Sequence, residues 1–172
     1  VGTSSLRRQA QLKLQRPDLQ VVEFRGNLQT RLKKLENQVA EATFLAMAGL
    51  KRLKMDEVPR HAIEVDDMLP AVAQGAIGIE RRVNDMRMAD MLAAIHDQET
   101  GQRLAAERAF LAALDGSCET PIAGLSELQG STMRLRGEVL RPDGSDASHD
   151  EMNVPSEDGA QAGQALAGRP LG

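Results

Sequence analysis

Alternating helix and strand patterns over residues 1–54 constrain the fold of this chain more than any other feature of its sequence. A helix is predicted from Ser5 to Arg16, because hydroxyl side chains cap free backbone N–H groups and a proline ends the pattern. Short strands are predicted at Gln20–Phe24 and Thr43–Met47, the second of them apolar on both faces like a buried parallel strand. The α/β alternation predicts a parallel sheet, with a ligand site beyond the carboxyl ends of its strands.

A second helix and the segments that follow residue 54 complete the predicted layout. Asn27 opens a helix whose leucines at 28, 32 and 35 share one face. Further strands are predicted at His61–Val65 and Ala76–Glu80, and a domain boundary inside Leu69–Gly75. A stripe of four apolar residues at helical spacing is predicted to be core: Met88, Met91, Leu92 and Ile95.

The last third of the chain is predicted to be a small α+β domain. An apolar helix runs to Leu114, and charged and apolar residues then alternate from Met133 to Val139, as in a half-exposed antiparallel strand. The sequence Arg141-Pro142-Asp143-Gly144 predicts the turn of a hairpin, and Gln161–Gly168 is weakly helical.

Charge and composition narrow the ligand class. Residues 1–54 carry a net charge of +7 and residues 55–172 a net charge of −11. The basic part offers only Phe24 and Phe44 for base stacking, so small carboxylates or phosphates suit it better than nucleic acid. One cysteine excludes an internal disulfide and fits a cytoplasmic location. No apolar run approaches the roughly 20 residues of a membrane span, and the three histidines are too dispersed to predict a metal site.

Arginines at the start of the first helix break a local rule. Arg7 and Arg8 follow Thr3-Ser4-Ser5, although the helix dipole already makes this end positive. A bound anion would remove the conflict, because N–H groups, hydroxyls and guanidinium groups all donate to it. Solvated surface arginines are the alternative that the pattern leaves open. Four more cations follow the predicted strands and could converge on one cleft with a polycarboxylate ligand: Arg25, Arg31, Lys51 and Arg52.

The only cysteine, Cys118, lies in a predicted loop. Gly116 and Ser117 precede it and Pro121 follows closely, which favours a presented thiol over a buried one. A small apolar core residue is the ordinary alternative for a lone cysteine. Glu107-Arg108, in the preceding helix, could form a catalytic pair, but the pattern favours a structural contact that holds the cysteine loop to its helix.

Six ordered motifs, including this loop, resemble the porphobilinogen deaminase family. They are Gly2-Thr3-Ser4-Ser5-Leu6-Arg7-Arg8, Phe24-Arg25-Gly26-Asn27, Thr30-Arg31-Leu32, Ala48-Gly49-Leu50-Lys51-Arg52-Leu53, Leu69-Pro70-Ala71-Val72 with Gln74-Gly75, and the segment from Glu107-Arg108 through Gly116-Ser117-Cys118 to Thr120-Pro121-Ile122-Ala123. The sequence departs from the family pattern at Ala40-Glu41-Ala42 and at Ala73, where glycine is common.

The resemblance implies a domain layout. Residues 1–69 would form most of a second domain, a partial β/α domain like those of periplasmic binding proteins. Residues 70–96 would be a connector and a segment returning to a first domain, and residues 97–172 a C-terminal α+β domain with its end truncated. The short antiparallel sheet of that domain would carry the cysteine loop. The chain would then be a fragment that makes no bilane alone, and Ala76–Glu80 would be an unpaired strand that lowers its solubility.

The resemblance also implies an activity and a site. The family enzyme, a transferase, joins four porphobilinogen molecules into hydroxymethylbilane on a covalent dipyrromethane cofactor, in tetrapyrrole and haem biosynthesis. Here Cys118 would hold the cofactor by a thioether. Residues implied to bind its carboxylates or those of the growing chain are Thr3, Ser4, Ser5, Arg7, Arg8, Arg25, Arg31 and Arg52, with Gln74 and Gly75 beside the cleft. The catalytic aspartate is expected from the first domain, so no catalytic residue is assigned.

Two further expectations follow. The full-length protein is expected to be a cytoplasmic monomer whose partner is porphobilinogen, with no nucleic acid, membrane or metal partner. The alternative function is an anion-binding receptor module of the periplasmic-binding-protein type, which would need no presented thiol.

Overall fold

The computed structural model describes residues 1–116 and 120–169, which form a mixed helix and strand fold in two compact units. Among these, unit 1 contains residues 1–69, 120–121 and 140–147, and unit 2 contains residues 70–116, 122–139 and 148–169. The elements in chain order are α1 Leu6–Gln15, α2 Leu28–Glu36, α3 Met47–Arg52, α4 Met86–Ala93, α5 Gln98–Ala113, β1 Ile122–Gln129, β2 Thr132–Leu140, β3 Ala147–Pro155, a 3₁₀ turn Ser156–Asp158 and α6 Gly159–Ala167.

The helices of unit 1 begin where their caps predict. The Ser5 side chain accepts a hydrogen bond from the Arg8 N–H at the start of α1, and the Asn27 side chain accepts one from the Thr30 N–H at the start of α2. The two predicted helices in residues 1–54 are therefore confirmed, and α1 ends just before Arg16 and Pro17, as expected.

The parallel strands of unit 1 are much shorter than predicted. Gly2 makes isolated parallel bridges with Val22 on one side and Thr43 on the other. The Gly2 N–H donates to the Ala42 carbonyl oxygen at 2.7 Å, and the Thr3 N–H donates to that of Val22 at 3.0 Å. The predicted strand Thr43–Met47 is wrong beyond Thr43, because α3 takes Met47 and the intervening side chains are not fully buried.

The predicted strands at His61–Val65 and Ala76–Glu80 are also wrong. Both segments are irregular, and large apolar side chains in them are exposed: Ile63 by 47%, Ile77 by 92% and Ile79 by 57%. A strand needs a neighbour for its N–H and C=O groups, and neither segment pairs with another within the described residues.

The methionine stripe is helical but is not core in this chain. It lies on α4, where Met88 and Met91 are 40% and 57% exposed, and Ile95, 68% exposed, lies beyond the end of the helix. Periodicity predicted the helix correctly, but exposure depends on what packs against it, which periodicity cannot supply.

Unit 2 is built on the antiparallel sheet β1-β2-β3, with α5 and α6 against it. Its core contains residues from α5, β1, β2 and α6: Ala106, Phe110, Ile122, Met133, Leu135, Ala162 and Leu166. The predicted alternation in β2 is confirmed, because Met133 and Leu135 are fully buried whereas Arg134 and Arg136 are not. The predicted turn is confirmed by a hydrogen bond from the Gly144 N–H to the Arg141 carbonyl oxygen.

Candidate anion-binding site

The three hydroxyls before α1 each accept a backbone hydrogen bond in unit 1. Thr3 Oγ1 accepts a hydrogen bond from the Ser5 N–H at 3.2 Å, and Ser5 Oγ accepts one from the Arg8 N–H at 3.3 Å. Ser4 Oγ accepts one from the Phe24 N–H at 3.0 Å. In each of these bonds the hydroxyl uses an oxygen lone pair and keeps its own hydrogen for donation. Ser4 is exposed, Ser5 is half-buried and Thr3 is only 5% exposed, so the three O–H donors at this helix N-terminus differ in how far a ligand can reach them. Such donors are suited to an anion.

Arg8 and Arg31 form the electropositive part of the candidate site. The Arg8 guanidinium lies 5.8 Å from the centre of the Phe44 ring. Arg31 Nε donates to the Gly26 carbonyl oxygen at 3.0 Å, and its Nη1 reaches the Phe44 carbonyl oxygen at 3.5 Å. Burial, and secondly the charge of Arg31, lower the pKa of Arg8. Both causes disfavour the charged form, so a bound carboxylate would stabilise Arg8.

Arg7 has a different environment. It is only 7% exposed, and its Nη1 donates to Gln11 Oε1 at 2.7 Å and to the Leu69 carbonyl oxygen at 2.8 Å. Gln11 Nε2 donates to the same carbonyl at 3.0 Å. The side chains of Arg7 and Gln11 in α1 thus both hold Leu69, the last residue of the segment 1–69 of unit 1. The alternative of a solvated surface arginine does not describe Arg7.

The other predicted cations of unit 1 are more exposed. Arg25 Nε bonds to Glu23 Oε1 at 2.5 Å, and this hydrogen bond, with the charge of Glu23, raises the pKa of Arg25. Arg52 is exposed in the last turn of α3, where a cation suits the negative end of the helix dipole. Arg8 and Arg31 are brought together, whereas Arg25 is paired at the surface.

Gln74 and Gly75 lie in unit 2, in a bent and exposed segment. Ala73 has φ 61° and Gly75 has φ 87°, both in the left-handed region. The Ala73 N–H donates to Glu107 Oε2 at 2.7 Å, and Glu107 is only 5% exposed. Glycine would adopt this backbone without a Cβ penalty, which gives a physical reason why the family commonly has glycine at position 73.

One contributor was missed by the sequence interpretation: Phe44 was treated as part of a strand, yet its ring faces Arg8. Glu107 was interpreted as a structural contact to the cysteine loop, whose residues 117–119 lie outside the described residues. Among the described residues it bonds to Ala73 and Ser126, which the interpretation did not name. A signal for Glu107 existed, since it falls on the apolar stripe of α5, three residues from both Leu104 and Phe110.

Cys118 lies outside the described residues. Within residues 1–116 and 120–169, no group of three or more His, Cys, Asp or Glu side chains could hold a metal ion. None of the helices in the same residues is long and apolar enough to cross a membrane.

The fold and these contacts define a mixed α/β protein with a basic, hydroxyl-rich candidate site at a helix N-terminus. Residues 1–90 match the family model described as porphobilinogen deaminase, dipyromethane cofactor binding domain, and residues 102–170 match the porphobilinogen deaminase C-terminal domain. The porphobilinogen deaminase of Paracoccus denitrificans (strain Pd 1222) is 66% identical over 167 residues, which cover 97% of this chain and 53% of that relative.

The chain belongs to the porphobilinogen deaminase family. It spans about half the length of the curated relative it matches.

Proposed function

We propose that the full-length protein containing this chain is a hydroxymethylbilane synthase. It would condense four porphobilinogen molecules head to tail and release ammonia at each condensation. The observation that supports this most directly is the Arg8–Arg31 pair beside three hydroxyl donors at the start of α1. The pyrrole units carry carboxylates, and such an arrangement favours a ligand with several of them.

Dipyrromethane is the cofactor that fits these donors. It would supply the terminal pyrrole on which the chain grows, and Cys118 would hold it through a thioether. Cys118 would supply the thiolate that bonds the pyrrole methylene carbon, and the amine on that carbon would leave as ammonia.

The residues of unit 1 would then divide into two roles. Arg8 and Arg31 would bind cofactor carboxylates directly, with hydrogen bonds from Thr3, Ser4 and Ser5. Arg7 would act within unit 1 by holding the carbonyl group of Leu69. Arg25 would exchange its ion pair with Glu23 for one with a ligand carboxylate, and Arg52 would bind the carboxylates of pyrroles added later. Each condensation adds carboxylates, so several cations serve chain growth as well as initial binding.

The domain layout belongs to the same proposal. Residues 1–69 would be most of a β/α domain of the periplasmic-binding-protein kind, residues 70–96 a connector and a segment returning to the first domain, and residues 97–172 the C-terminal domain. The aspartate that handles protons on the pyrrole nitrogens would come from the first domain. The full-length protein would be a cytoplasmic monomer that uses porphobilinogen and binds neither nucleic acid nor membrane.

Intact mass of the full-length protein tests the covalent part of this proposal. Protein made by cells that contain porphobilinogen should carry a dipyrromethane adduct, and Cys118→Ser should lack it. Ser117→Ala is the matched control, because it changes the adjacent side chain and keeps the sulfur. An unmodified cysteine in the wild-type protein would instead favour the anion-binding receptor.

The Arg8→Gln variant of the full-length protein tests the carboxylate site. Thermal stability should stay within about 1 kcal/mol of wild type, because loss of the Phe44 contact is offset by loss of repulsion from Arg31. Elongation should slow roughly 10- to 100-fold, the size expected for a lost charged hydrogen bond. Arg16→Gln is the control, since Arg16 ends the same helix and bonds Asp18 at the surface. Equal elongation by the two variants would exclude Arg8 from the site.

A further inference from the structure

Glu107 is a buried acid whose contacts lie within unit 2 and which the proposed chemistry does not use. Its Oε1 accepts a hydrogen bond from the Ser126 N–H at 2.8 Å, and its Oε2 accepts one from the Ala73 N–H at 2.7 Å. The Ser126 hydroxyl lies 2.9 Å from Oε1 and 3.0 Å from the Arg103 carbonyl oxygen, so it can donate to either. One carboxylate thus joins β1 and α5 to a segment 34 residues earlier in the chain.

The segment that Glu107 holds is Pro70–Gly75, which we call the connector. Its first half has two other attachments: the Gly124 N–H donates to the Pro70 carbonyl oxygen at 3.0 Å, and Val72 packs against the core of unit 2. A groove of about 230 Å³ is lined by every connector residue except Val72, by Thr100, Arg103, Leu104 and Glu107 of α5, and by Leu125. Ala73 is partly exposed beside this groove, so its backbone depends more on the hydrogen bond to Glu107.

Ala73 is the connector residue whose backbone conformation is held by the hydrogen bond to Glu107. Its φ of 61° is unfavourable for a residue with a Cβ, at a cost of roughly 1–2 kcal/mol. The charged acceptor Glu107 Oε2 lies at its N–H, and charge-assisted hydrogen bonds are stronger than neutral ones. The bond therefore stabilises a bend that alanine would otherwise disfavour, and the exposed Gln74 and Gly75 follow directly from that bend.

We propose that Glu107 is a positioning residue that sets the conformation of Ala73 and thereby presents Gln74 and Gly75 to the polypyrrole. The presentation to polypyrrole rests on the proposed function, whereas the control of the connector backbone does not. Glu107 touches neither substrate nor reacting atoms in this role. It acts through the connector.

The proposal requires a carboxylate at position 107, because both of its oxygens accept a backbone hydrogen bond and an amide has only one accepting oxygen. Glu107→Gln keeps the shape but places an NH₂ group on one side, so one of the two backbone N–H groups must face another donor. Ser126 is fully buried on β1, whereas Ala73 is partly exposed beside the groove. The amide oxygen should therefore remain with Ser126, and Ala73 should lose its partner and turn away.

Amide hydrogen exchange on the full-length protein measures this directly. In Glu107→Gln the Ala73 amide should exchange roughly 10- to 100-fold faster than in wild type, while the Ser126 amide keeps its protection. Glu99→Gln is the matched control, because Glu99 is an exposed acid in the first turn of the same helix. Unchanged exchange at Ala73 would overturn the positioning role, whatever the activity of the enzyme.

Enzyme kinetics test whether the connector presents Gln74 and Gly75 to the polypyrrole. Glu107→Gln should keep the covalent adduct by intact mass but raise the KM for porphobilinogen in elongation. Ser126→Ala, which removes one donor to Glu107 and leaves the Ala73 bond, should not raise that KM. A faster Ala73 amide with normal elongation would overturn the presentation of Gln74 and Gly75 to the polypyrrole. An equal rise in KM for both variants would show a general effect of the buried core and would also overturn it.

Discussion

Replacing Gly2 by alanine should destabilise unit 1, because the space that a side chain needs is filled by an aromatic ring. A Cβ built on Gly2 would lie 2.4 and 2.5 Å from two carbons of the Phe24 ring, well inside van der Waals contact. Phe24 is fully buried, so its ring has little freedom to move aside. Gly2 also forms the parallel bridges with Val22 and Thr43, and it directly precedes the three hydroxyl residues of the candidate site.

The size of the effect follows from overpacking. Extra atoms forced into a packed site cost about 1–3 kcal/mol, and 1.4 kcal/mol is a factor of about ten. Amides that exchange through opening of this unit should therefore lose about 5- to 150-fold of their protection. The Thr3 and Val22 amides are the reporters, because both are hydrogen bonded across the Gly2 bridge.

Two further variants make the test specific. Adding Phe24→Leu to Gly2→Ala should recover part of the loss, with a coupling of about 0.5–3 kcal/mol. Gly49→Ala in α3 should have the opposite sign, because its Cβ would lie 3.4 Å from the flexible end of Leu28 and alanine favours helices by roughly 0.5–1 kcal/mol. Wild-type protection in Gly2→Ala, or the absence of coupling to Phe24, would show that the Phe24 ring does not exclude a side chain at position 2.

Three other predictions use the same full-length protein. Gly144→Ala should lower the thermal midpoint more than Gly130→Ala. Both glycines have positive φ (74° and 61°), but only the Gly144 Cβ would clash with α1. Equal shifts would contradict the close approach of Gly144 to α1. Hydrogen bonds from Thr100 lower the pKa of Asp97 below its usual 3.8. The capping of α5 by Asp97 should therefore be complete above pH 3.8 and should be lost as the pH falls through the lower folded pKa. The protection factor of the Thr100 amide against pH measures this, and a protection factor that does not fall at low pH would contradict it. Ala73→Gly should leave the free energy of unfolding equal or raise it by up to about 1 kcal/mol, because relief of the left-handed backbone outweighs the added freedom of the unfolded chain. Thermal unfolding measures this, and a clear fall in the midpoint would contradict it.

Elements with short-range causes could be predicted from the sequence. The starts of α1 and α2 depend on Ser5 and Asn27, and the hairpin turn depends on Pro142-Asp143-Gly144. In each case the hydrogen bond that defines the element joins residues at most four positions apart. The parallel strands depend on partners that lie about 20 or more residues away, and this is where the predicted lengths failed.

The candidate site divides in the same way. The motifs predicted the class of ligand, because arginines and hydroxyls at a helix start favour an anion wherever the helix lies. They did not predict which arginine is available to it. Arg7 and Arg8 are adjacent in sequence, yet Arg7 holds Leu69 whereas Arg8 faces Phe44 and Arg31.

The family, the helices, the hairpin and the chemical character of the candidate site could be predicted from the residues alone, because these depend on residue type and on local spacing. The folded chain was needed to show that Arg8 and Arg31 share one region, that α4 is exposed, and that the Ala73 N–H donates to Glu107. Burial and the choice of a hydrogen-bond partner depend on residues far apart in the chain, and no local pattern encodes how those residues come together.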